Sequence, residues 1–289
     1  MKIKILIPVY NDWQSVFKLL ENINSEVSNL EHEFSVIVVN DASTETKPEL
    51  SVNLEKLNSI KIINMKENRG HARCNAAGLK HIYENEEFDY VIPMDGDGED
   101  RPEEIKQLLD TLNYHPDKPI VGERIKRSEG IFFKFCYFVH KLITFTFAGQ
   151  SIKYGNFTCL PKSIVEKMIN KKATWSSFSG ALAKVAKDRA SIPSERGTRY
   201  FGPSKMSFKN LLIHSLSIIG VFKINVLIRS ILFLLVYIFL IQQNISIVML
   251  IPILLVVVLI TSVFIISKRE SLEKLNNSLL NISNIDNLK

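Results

Sequence analysis

The chain has 289 residues, with 36 Lys or Arg against 30 Asp or Glu, a net charge of +6. This length accommodates one sizeable α/β domain and something smaller. Its three cysteines, Cys74, Cys136 and Cys159, are far apart and odd in number. They argue against a disulfide framework or a metal knuckle and fit a reducing compartment. Many basic residues lie between 118 and 229 and just after 266, which suits a membrane surface or phosphate-bearing substrates better than nucleic acid.

Residues 1–120 alternate strand-like and helix-like segments. Apolar, β-rich runs predict strands at 3–9, 34–39, 60–64 and 90–94, and apolar periodicity predicts helices at 13–27, 71–85 and 102–112. Continuous apolar strands between helices are typical of a mostly parallel sheet covered on both faces. The first strand begins directly after Met1, with no room for a signal peptide, so we expect this domain in the cytoplasm.

The segment after the fourth strand carries four carboxylates within six residues, Asp95, Asp97, Glu99 and Asp100, separated by glycines. Such a cluster is costly to fold unless a cation lies among its oxygens. Carboxylate ligands suit Mg²⁺ or Mn²⁺, and no His or Cys stands beside them in the sequence to suggest zinc. The alternative is a solvated acidic turn that caps the next helix.

Polar residues also follow the first and second strands, as Tyr10-Asn11-Asp12 and Asn40-Asp41-Ala42-Ser43. In parallel sheets, ligands bind in the crevice beyond the carboxyl ends of the strands. Three polar clusters at three strand ends therefore indicate a ligand site at one edge of the sheet.

The second half of the chain becomes increasingly apolar. Residues 130–147 form either an amphipathic helix on lipid or a buried core helix, and residues 207–221 are expected to lie in the interfacial plane. Residues 225–241 and 245–266 are long and apolar enough to cross a bilayer as a tight hairpin. The alternative for this hairpin is the buried core of a soluble domain. Basic residues flank the hairpin and none lies in its turn, so the positive-inside rule places both ends in the cytoplasm.

Two features remain around this hairpin. Arg229, near the entry of the first span, is interpreted as a snorkelling residue at the headgroup level rather than a functional intramembrane charge. Residues 270–289 are rich in Asn, Ser and Leu with weak periodicity, so we expect a short helix or disorder there.

A family resemblance rests on four ordered motifs: Ile7-Pro8-Val9-Tyr10-Asn11-Asp12, Val38-Val39-Asn40-Asp41-Ala42-Ser43, Asn68-Arg69-Gly70-His71-Ala72-Arg73-Cys74-Asn75 and Asp95-Gly96-Asp97-Gly98-Glu99-Asp100-Arg101-Pro102-Glu103. Over residues 1–210 this series resembles family-2 glycosyltransferases, and most of all the dolichyl- or polyprenyl-phosphate sugar synthases. The resemblance implies an α/β GT-A fold, which is Rossmann-like with a mostly parallel sheet and helices on both faces. A C-terminal transmembrane helical hairpin is a common addition in the bacterial polyprenyl-phosphate members.

The resemblance also implies a nucleotide-sugar donor, with UDP or GDP as the nucleotide. Pro8, Tyr10 and Asp12 would shape the pocket for the base and ribose. Asp41 would accept a hydrogen bond from the base.

For the metal, the resemblance implies three carboxylates. Asp95 would be shared between ribose and metal, Asp97 would ligate Mg²⁺ or Mn²⁺ directly, and Glu99 would be a further ligand. Such an ion stabilises the charge that develops on a departing diphosphate. Displacement at the anomeric carbon would proceed with inversion. Asp100 is expected to cap the following helix.

The segment Arg199-Tyr200-Phe201-Gly202-Pro203-Ser204-Lys205 matches the Arg-x-x-Gly-x-Ser-Lys loop that closes on the diphosphate in these synthases. Arg199 and Lys205 would supply donors to phosphate oxygens, and Ser204 would contribute to donor binding. The alternative is a basic juxtamembrane stretch attracted to anionic lipid.

The acceptor side departs from the family pattern. Gly122-Glu123-Arg124 replaces Gly-Ser-Arg, and Gly155-Asn156-Phe157-Thr158 stands where a Gly-Phe-Arg-like segment is usual. Arg124 and Arg127 are candidates for binding an acceptor phosphate. A lipid phosphate is already an anionic nucleophile, whereas a sugar hydroxyl would require a carboxylate base, with Asp188 and Glu195 as weak candidates.

The expected activity is sugar transfer from a nucleotide-sugar to polyprenyl (undecaprenyl) phosphate. One alternative is transfer to a hydroxyl of a lipid-linked or cell-surface glycan, and another is a non-catalytic membrane adaptor of the same fold. No Gly-x-Gly-x-x-Gly follows the first strand, which excludes a dinucleotide oxidoreductase.

The expected organisation has four parts: a cytoplasmic GT-A domain at 1–206, an interfacial helix at 207–223, two transmembrane helices at 224–267 and a cytoplasmic tail at 268–289. The chain is expected in the inner (cytoplasmic) membrane, in contact with the lipid bilayer and without nucleic acid as a partner. Homo-oligomerisation is left open, since such hairpins often associate.

Overall fold

The computed structural model of the chain describes residues 1–49, 53–126, 131–203, 207–243 and 245–289, and for residues 126, 131–135 and 137 it describes the backbone. The described strands form one eight-stranded sheet in the order β7-β5-β6-β4-β1-β2-β3-β8. Their bounds are β1 (Lys2–Val9), β2 (Glu33–Asn40), β3 (Leu57–Met65), β4 (Tyr90–Pro93), β5 (Ile120–Lys126), β6 (Tyr154–Pro161), β7 (Ala190–Glu195) and β8 (Ile282–Asn287).

The centre of the sheet is parallel. β1 pairs in parallel with β2 and with β4, so that Ile5 lies beside Val36 on one side and Ile92 on the other. β2 and β3 are also parallel, whereas β6 runs antiparallel to β4 and β5. All residues of β1 after Lys2 are buried, as expected for a parallel strand covered on both faces.

Helices cover both faces of this sheet and continue beyond it. Their bounds are α1 (Trp13–Glu26), α2 (His71–Asn85), α3 (Ile105–Leu112), α4 (Ile131–Ile143), α5 (Lys162–Ile169), α6 (Phe178–Val185), α7 (Phe208–Gly220), α8 (Lys223–Ile241), α9 (Ile251–Ser267) and α10 (Leu272–Asn276). The predicted helix at 71–85 has the bounds of α2. The helix predicted from Pro102 starts with a 3₁₀ turn, Pro102–Glu104, a common geometry at helix N-termini.

Two cores lie on the two faces of the sheet. Ile5 and Ile7 pack with Leu20 of α1 on one face, and Leu6 between them packs with Leu79 of α2 on the other. This separation follows from the alternation of side chains along a strand. A Cβ at Gly78 would overlap the Leu6 side chain, so glycine allows α2 to approach the sheet closely.

The C-terminal apolar helices are mostly outside these cores. Lys223–Ile241 and Ile247–Asn276 are long and apolar enough to cross a membrane, and only 11% of the apolar window of each is buried. The Tyr237 hydroxyl of α8 donates to the Met249 carbonyl, 3.1 Å away, which joins the two segments near their turn. The prediction of two apolar helices is confirmed, and their exposure differs from that of core helices.

The Arg229 side chain of α8 forms hydrogen bonds within the chain. Its Nη1 donates to the carbonyl oxygens of Phe145 (3.2 Å) and Thr146 (3.1 Å), in the π-helical turn Thr144–Ala148 that extends α4. These oxygens lie at the negative end of a helix, where a cation is favourable. Arg229 therefore holds the end of the α4 segment against α8, a role that the snorkelling interpretation did not include.

The tail contains the expected short helix, α10, and also a strand. β8 pairs antiparallel with the edge strand β3, and its register places Asn284 beside Asn64. The tail strand has mostly exposed or half-buried residues, so its apolar pattern is weak and did not predict a strand. β8 covers the otherwise unpaired edge of β3. The chain therefore leaves the sheet domain through α8 and returns to the same domain after α9.

Candidate active site

The carboxyl ends of β1, β2 and β4 lie side by side, because these strands are parallel neighbours. The structure therefore brings Asp12, Asp41 and the acidic turn Asp95–Asp100 to one edge of the sheet. Tyr10, directly after β1, is 42% exposed there, and Pro8 is buried within the strand.

Asp41 is buried and fixes the loop before α2. Its Oδ1 accepts a hydrogen bond from the backbone N–H of Arg69 (2.8 Å), and its Oδ2 accepts one from Gly70 (2.7 Å). Gly70 has a φ of +91°, in the region that favours glycine. In this structure Asp41 positions the start of α2, and its contact with a base stays a prediction.

Arg199 joins the first and fourth strand ends. Its Nη1 donates to Oδ2 of Asp97 at 2.9 Å, and its Nη2 forms an ion pair with Asp12. The backbone N–H of Tyr200 donates to the Asp97 carbonyl at 2.9 Å. The segment predicted to close on a diphosphate therefore packs directly against the acidic turn.

Two further contacts hold this segment in place. Glu99 forms an ion pair with Arg196, and the N–H of Gly197 donates to the Glu99 carbonyl at 2.9 Å. The Tyr200 ring lies against Gly98, whose φ is +87°, and a Cβ at Gly98 would overlap that ring. We name residues 196–200 the arginine strap; Arg196 was not predicted.

The predicted metal ligands do not converge in the structure. Asp97 faces Arg199, Glu99 faces Arg196, and Asp95 faces His71. Among the residues that the structure describes, no group of three or more His, Cys, Asp or Glu side chains is arranged to hold a metal ion. Glu99 was predicted to be a supporting metal ligand. In the structure its carboxylate is instead paired with the Arg196 guanidinium, which neutralises its charge.

The charges of the turn are compatible with a cation at Asp95 and Asp97. Desolvation and the negative charge of Asp95 raise the pKa of Asp97 to about 6, although Arg199 and Arg196 oppose this shift. Asp100 is buried, and desolvation together with Asp95 raises its pKa as well. The turn thus carries more negative charge than its arginine partners offset, so the donor set at Asp95 and Asp97 fits a divalent ion.

Asp100 stabilises the acidic turn through a hydrogen bond within the turn. Its Oδ2 accepts a hydrogen bond from the backbone N–H of Asp95 at 2.9 Å. The following 3₁₀ turn has Arg101 at its N-cap and no side-chain cap, so the expected capping role of Asp100 is wrong. Its short side chain bonds backward along the chain instead.

His71 and Asn156 complete the surroundings of Asp95, and neither was predicted as a site residue. Asn156 Nδ2 donates to Asp95 Oδ1 (2.8 Å), and His71 Nε2 lies 3.2 Å from the same oxygen. Desolvation lowers the pKa of His71, but Asp95 more than offsets this, so its pKa lies above the usual value. These contacts lower the pKa of Asp95, which holds it ionised. His71 belongs to the third motif. Its position as the first residue of α2 was the sequence feature that could have marked it as a site residue.

Arg124, predicted to bind an acceptor phosphate, lies near His214 of α7. The Arg124 guanidinium lies over Gly155, where a Cβ would be 2.6 Å from Nη2. Burial and the neighbouring charges of His71 and Arg124 lower the pKa of His214, on α7, to about 4. Nothing in the sequence marks His214, because it is an isolated residue on a mostly apolar helix. Of the remaining predicted residues, Arg127, Ser204 and Lys205 lie outside the described residues.

Comparison with known proteins agrees with this architecture. The family model for Glycosyl transferase family 2 matches residues 4–170, more than half of the chain, and the chain belongs to this family. The predicted family and the GT-A fold are thereby confirmed.

Curated relatives include the undecaprenyl-phosphate 4-deoxy-4-formamido-L-arabinose transferases of Salmonella choleraesuis and Salmonella paratyphi B. Each is 27% identical over 219 residues, covering 73% of this chain and 64% of the relative. The chain therefore spans less than two thirds of their length.

Solved structures show the same fold. Glucosyl-3-phosphoglycerate synthase from Mycobacterium tuberculosis, in complex with Mn²⁺, UDP and glucosyl-3-phosphoglycerate, has a TM-score of 0.56 at 11% identity, covering 78% of this chain and 79% of that one. Mannosyl-3-phosphoglycerate synthase from Rubrobacter xylanophilus has a TM-score of 0.54 at 11% identity, covering 76% and 72%. At these identities the likeness concerns the fold alone.

Proposed function

We propose that the chain is a membrane-anchored, metal-dependent inverting glycosyltransferase that moves a sugar from a UDP- or GDP-sugar to polyprenyl phosphate. One observation carries this proposal. The arginine strap, Arg196 and Arg199 foremost, lies on the acidic turn at the carboxyl edge of the sheet, and the chain then continues into the apolar helices.

The donor would bind between the acidic turn and the arginine strap. Arg196 and Arg199 present guanidinium groups that suit diphosphate oxygens, and they would exchange their carboxylate partners for the donor. Asp95 and Asp97 would hold Mg²⁺ or Mn²⁺, which supplies charge neutralisation at the leaving diphosphate. His71 and Asn156 orient Asp95 and keep it ionised.

The acceptor would approach from the side of α7. Arg124 and His214 line this side, and a cation and an imidazole N–H both suit a phosphate. The polyprenyl phosphate oxygen would attack the anomeric carbon as an anion and displace the nucleoside diphosphate in one step, which inverts the configuration. No base has to remove a proton from this nucleophile. The named activity of the curated relatives on undecaprenyl phosphate supports this choice of acceptor.

The membrane arrangement is part of the proposal. Helices α8 and α9 would cross the inner membrane as a hairpin, with the sheet domain and the tail on the cytoplasmic side. The return of β8 to the sheet supports this arrangement, because both outer ends of the hairpin meet one domain.

The test is transfer in membranes that contain the chain, supplied with labelled UDP- and GDP-sugars and undecaprenyl phosphate as the only acceptor. We expect label in the lipid-extractable fraction for one donor, and Asp97→Ala is expected to reduce it about 10²-fold. The matched control is Asp110→Ala on the exposed side of α3, where Asp110 pairs with Lys106 (2.5 Å). No lipid-extractable label from any donor, or full activity of Asp97→Ala, would contradict the proposal.

A further inference from the structure

A cavity of about 670 Å³ lies away from the candidate active site. Its walls come from α6 and the loop that follows, from the first residues of α8, and from Glu270 after α9. None of its lining residues belongs to the acidic turn, the arginine strap or the acceptor side described above. It is therefore a separate feature of the molecule.

The charged lining of this cavity is strongly basic. It consists of five cations and one carboxylate, namely Lys172, Lys184, Lys187, Arg189, Lys223 and Glu270. In the described part of the chain, Lys172 is the one cation of the five with a carboxylate partner, Glu270 at 3.7 Å. The lining therefore carries five positive charges against the one negative charge of Glu270, which also lies close enough to Lys184 and Lys223 to interact with them electrostatically.

Neutral partners hold several of these cations in place. Lys184 Nζ donates to the carbonyl of Val221 (3.1 Å), and Lys223 Nζ donates to Ser267 Oγ (3.4 Å). The Arg189 guanidinium lies 5.4 Å from the centre of the Tyr154 ring. The cations are therefore oriented by the fold while the lining keeps an excess of positive charge, an arrangement that suits an anionic ligand.

The cavity is placed at the entrance to the apolar helices. Lys223 is the first residue of α8, and the next lining residue, Ile224, is 56% exposed. Glu270 stands three residues after the end of α9. Both outer ends of the hairpin thus form part of the wall, and in a membrane this is the depth of the lipid headgroups.

We propose that this cavity binds the headgroup of an anionic phospholipid from the leaflet that faces the sheet domain. A phosphate diester carries a negative charge that would offset part of this positive excess, and the volume of the cavity is within the range of small-ligand sites. The acyl chains of the lipid would leave the cavity along the exposed apolar surface of α8. The site rests on the membrane insertion of the hairpin, and it is independent of whether the chain transfers a sugar.

The experiment uses the full chain purified in neutral detergent and titrated with phosphatidylglycerol, phosphatidylcholine or glycerol phosphate. Thermal unfolding and native mass spectrometry report binding without measuring turnover. We expect phosphatidylglycerol to raise the unfolding midpoint and to stay bound, with little effect of phosphatidylcholine. In Lys187→Gln/Lys223→Gln, binding is expected to weaken about thirtyfold, since each cation near an anionic surface contributes about fivefold.

The matched control is Lys209→Gln/Lys268→Gln, which removes two exposed cations outside the cavity. It is expected to bind phosphatidylglycerol as the wild type does. If the double cavity variant is unstable without lipid, Lys187→Glu serves instead, because Lys187 is exposed. Equal weakening in the cavity and control variants would overturn the proposal, because binding would then reflect general surface charge. A response to glycerol phosphate but not to phosphatidylglycerol would also overturn it, in favour of a soluble phosphate ligand.

Discussion

Arg199 is the residue on which the candidate donor site converges, because it binds Asp97 and Asp12 from two different strand ends. Its side chain is 15% exposed, so this ion pair is partly shielded from water. A guanidinium suits both carboxylate and diphosphate oxygens, which is why we propose that Arg199 exchanges these carboxylates for the donor.

We predict that Arg199→Ala lowers kcat/KM for the nucleotide-sugar about 10²-fold, because it removes a placed donor to the leaving group. Steady-state kinetics in reconstituted membranes would measure this change. The control is Arg101→Ala, whose guanidinium is 38% exposed and pairs with Glu103 at 3.6 Å. Similar losses in both variants would argue against a specific role of Arg199.

His214 makes a pH-dependent contribution to stability. Its pKa is about 4 in the folded chain, against an ordinary value of 6.5. Between these values the unfolded chain binds a proton that the folded chain does not, so the folded state loses stability as the pH falls from 6.5 towards 4.

His214→Gln is predicted to remove this loss. Its thermal midpoint in detergent should fall less between pH 7.5 and pH 5 than that of the wild type. His115→Gln, on the loop before β5, is the control and should keep the wild-type dependence. An unchanged pH dependence in His214→Gln would show that His214 is not the group responsible.

At the scale of elements, the acidic turn and the arginine strap form one packed unit around Gly98 and Tyr200. The Tyr200 hydroxyl accepts a hydrogen bond from Asn22 of α1 at 2.7 Å, which fixes the ring over the glycine. A side chain at Gly98 would have to displace that ring.

Gly98→Ala is predicted to lower both the unfolding midpoint and the affinity for the donor, because the added methyl group displaces the Tyr200 ring and with it the arginine strap. Gly202→Ala is the matched control, since Gly202 also has a positive φ, +63°, but no atom lies within 4 Å of a Cβ there. The comparison concerns stability only: the unfolding midpoint of Gly202→Ala should reflect the cost of a left-handed backbone alone, about 1–2 kcal/mol in the free energy of unfolding. Equal midpoints for the two variants would contradict the packing role of Tyr200.

The elements of residues 1–112 were largely predictable, whereas β5, β6 and β7 of the less regular region that follows were not predicted. Apolar periodicity gave the bounds of α2 to the residue, and the continuous apolar run gave β1 to within one residue. β8 was not predictable, because an edge strand with few buried residues has little apolar pattern. For the site, a sequence shows which carboxylates follow strands, but the partners of Asp95, namely His71 and Asn156, are set by tertiary packing.

At the scale of the whole molecule, the apolar hairpin begins and ends at the sheet domain. Gln243, in the turn between α8 and the next apolar segment, is exposed. If α8 and α9 cross the membrane, this turn lies on the side opposite to the sheet domain.

A single cysteine at this turn would test the topology. In a Cys136→Ser background, Gln243→Cys is predicted to react with a membrane-impermeant maleimide added outside intact cells. The two other cysteines, Cys74 and Cys159, are buried. Labelling that requires disrupted cells would place the turn in the cytoplasm and contradict the proposed arrangement.

The central claim is that this site moves one sugar onto a lipid phosphate. Purified chain in proteoliposomes, with undecaprenyl phosphate and the active nucleotide-sugar, allows the lipid product and the released nucleotide to be counted by mass spectrometry. The account predicts undecaprenyl phosphate carrying one sugar and one nucleoside diphosphate released per product, with both reduced about 10²-fold in Asp97→Ala. Nucleotide release with undecaprenyl phosphate left unmodified would contradict it.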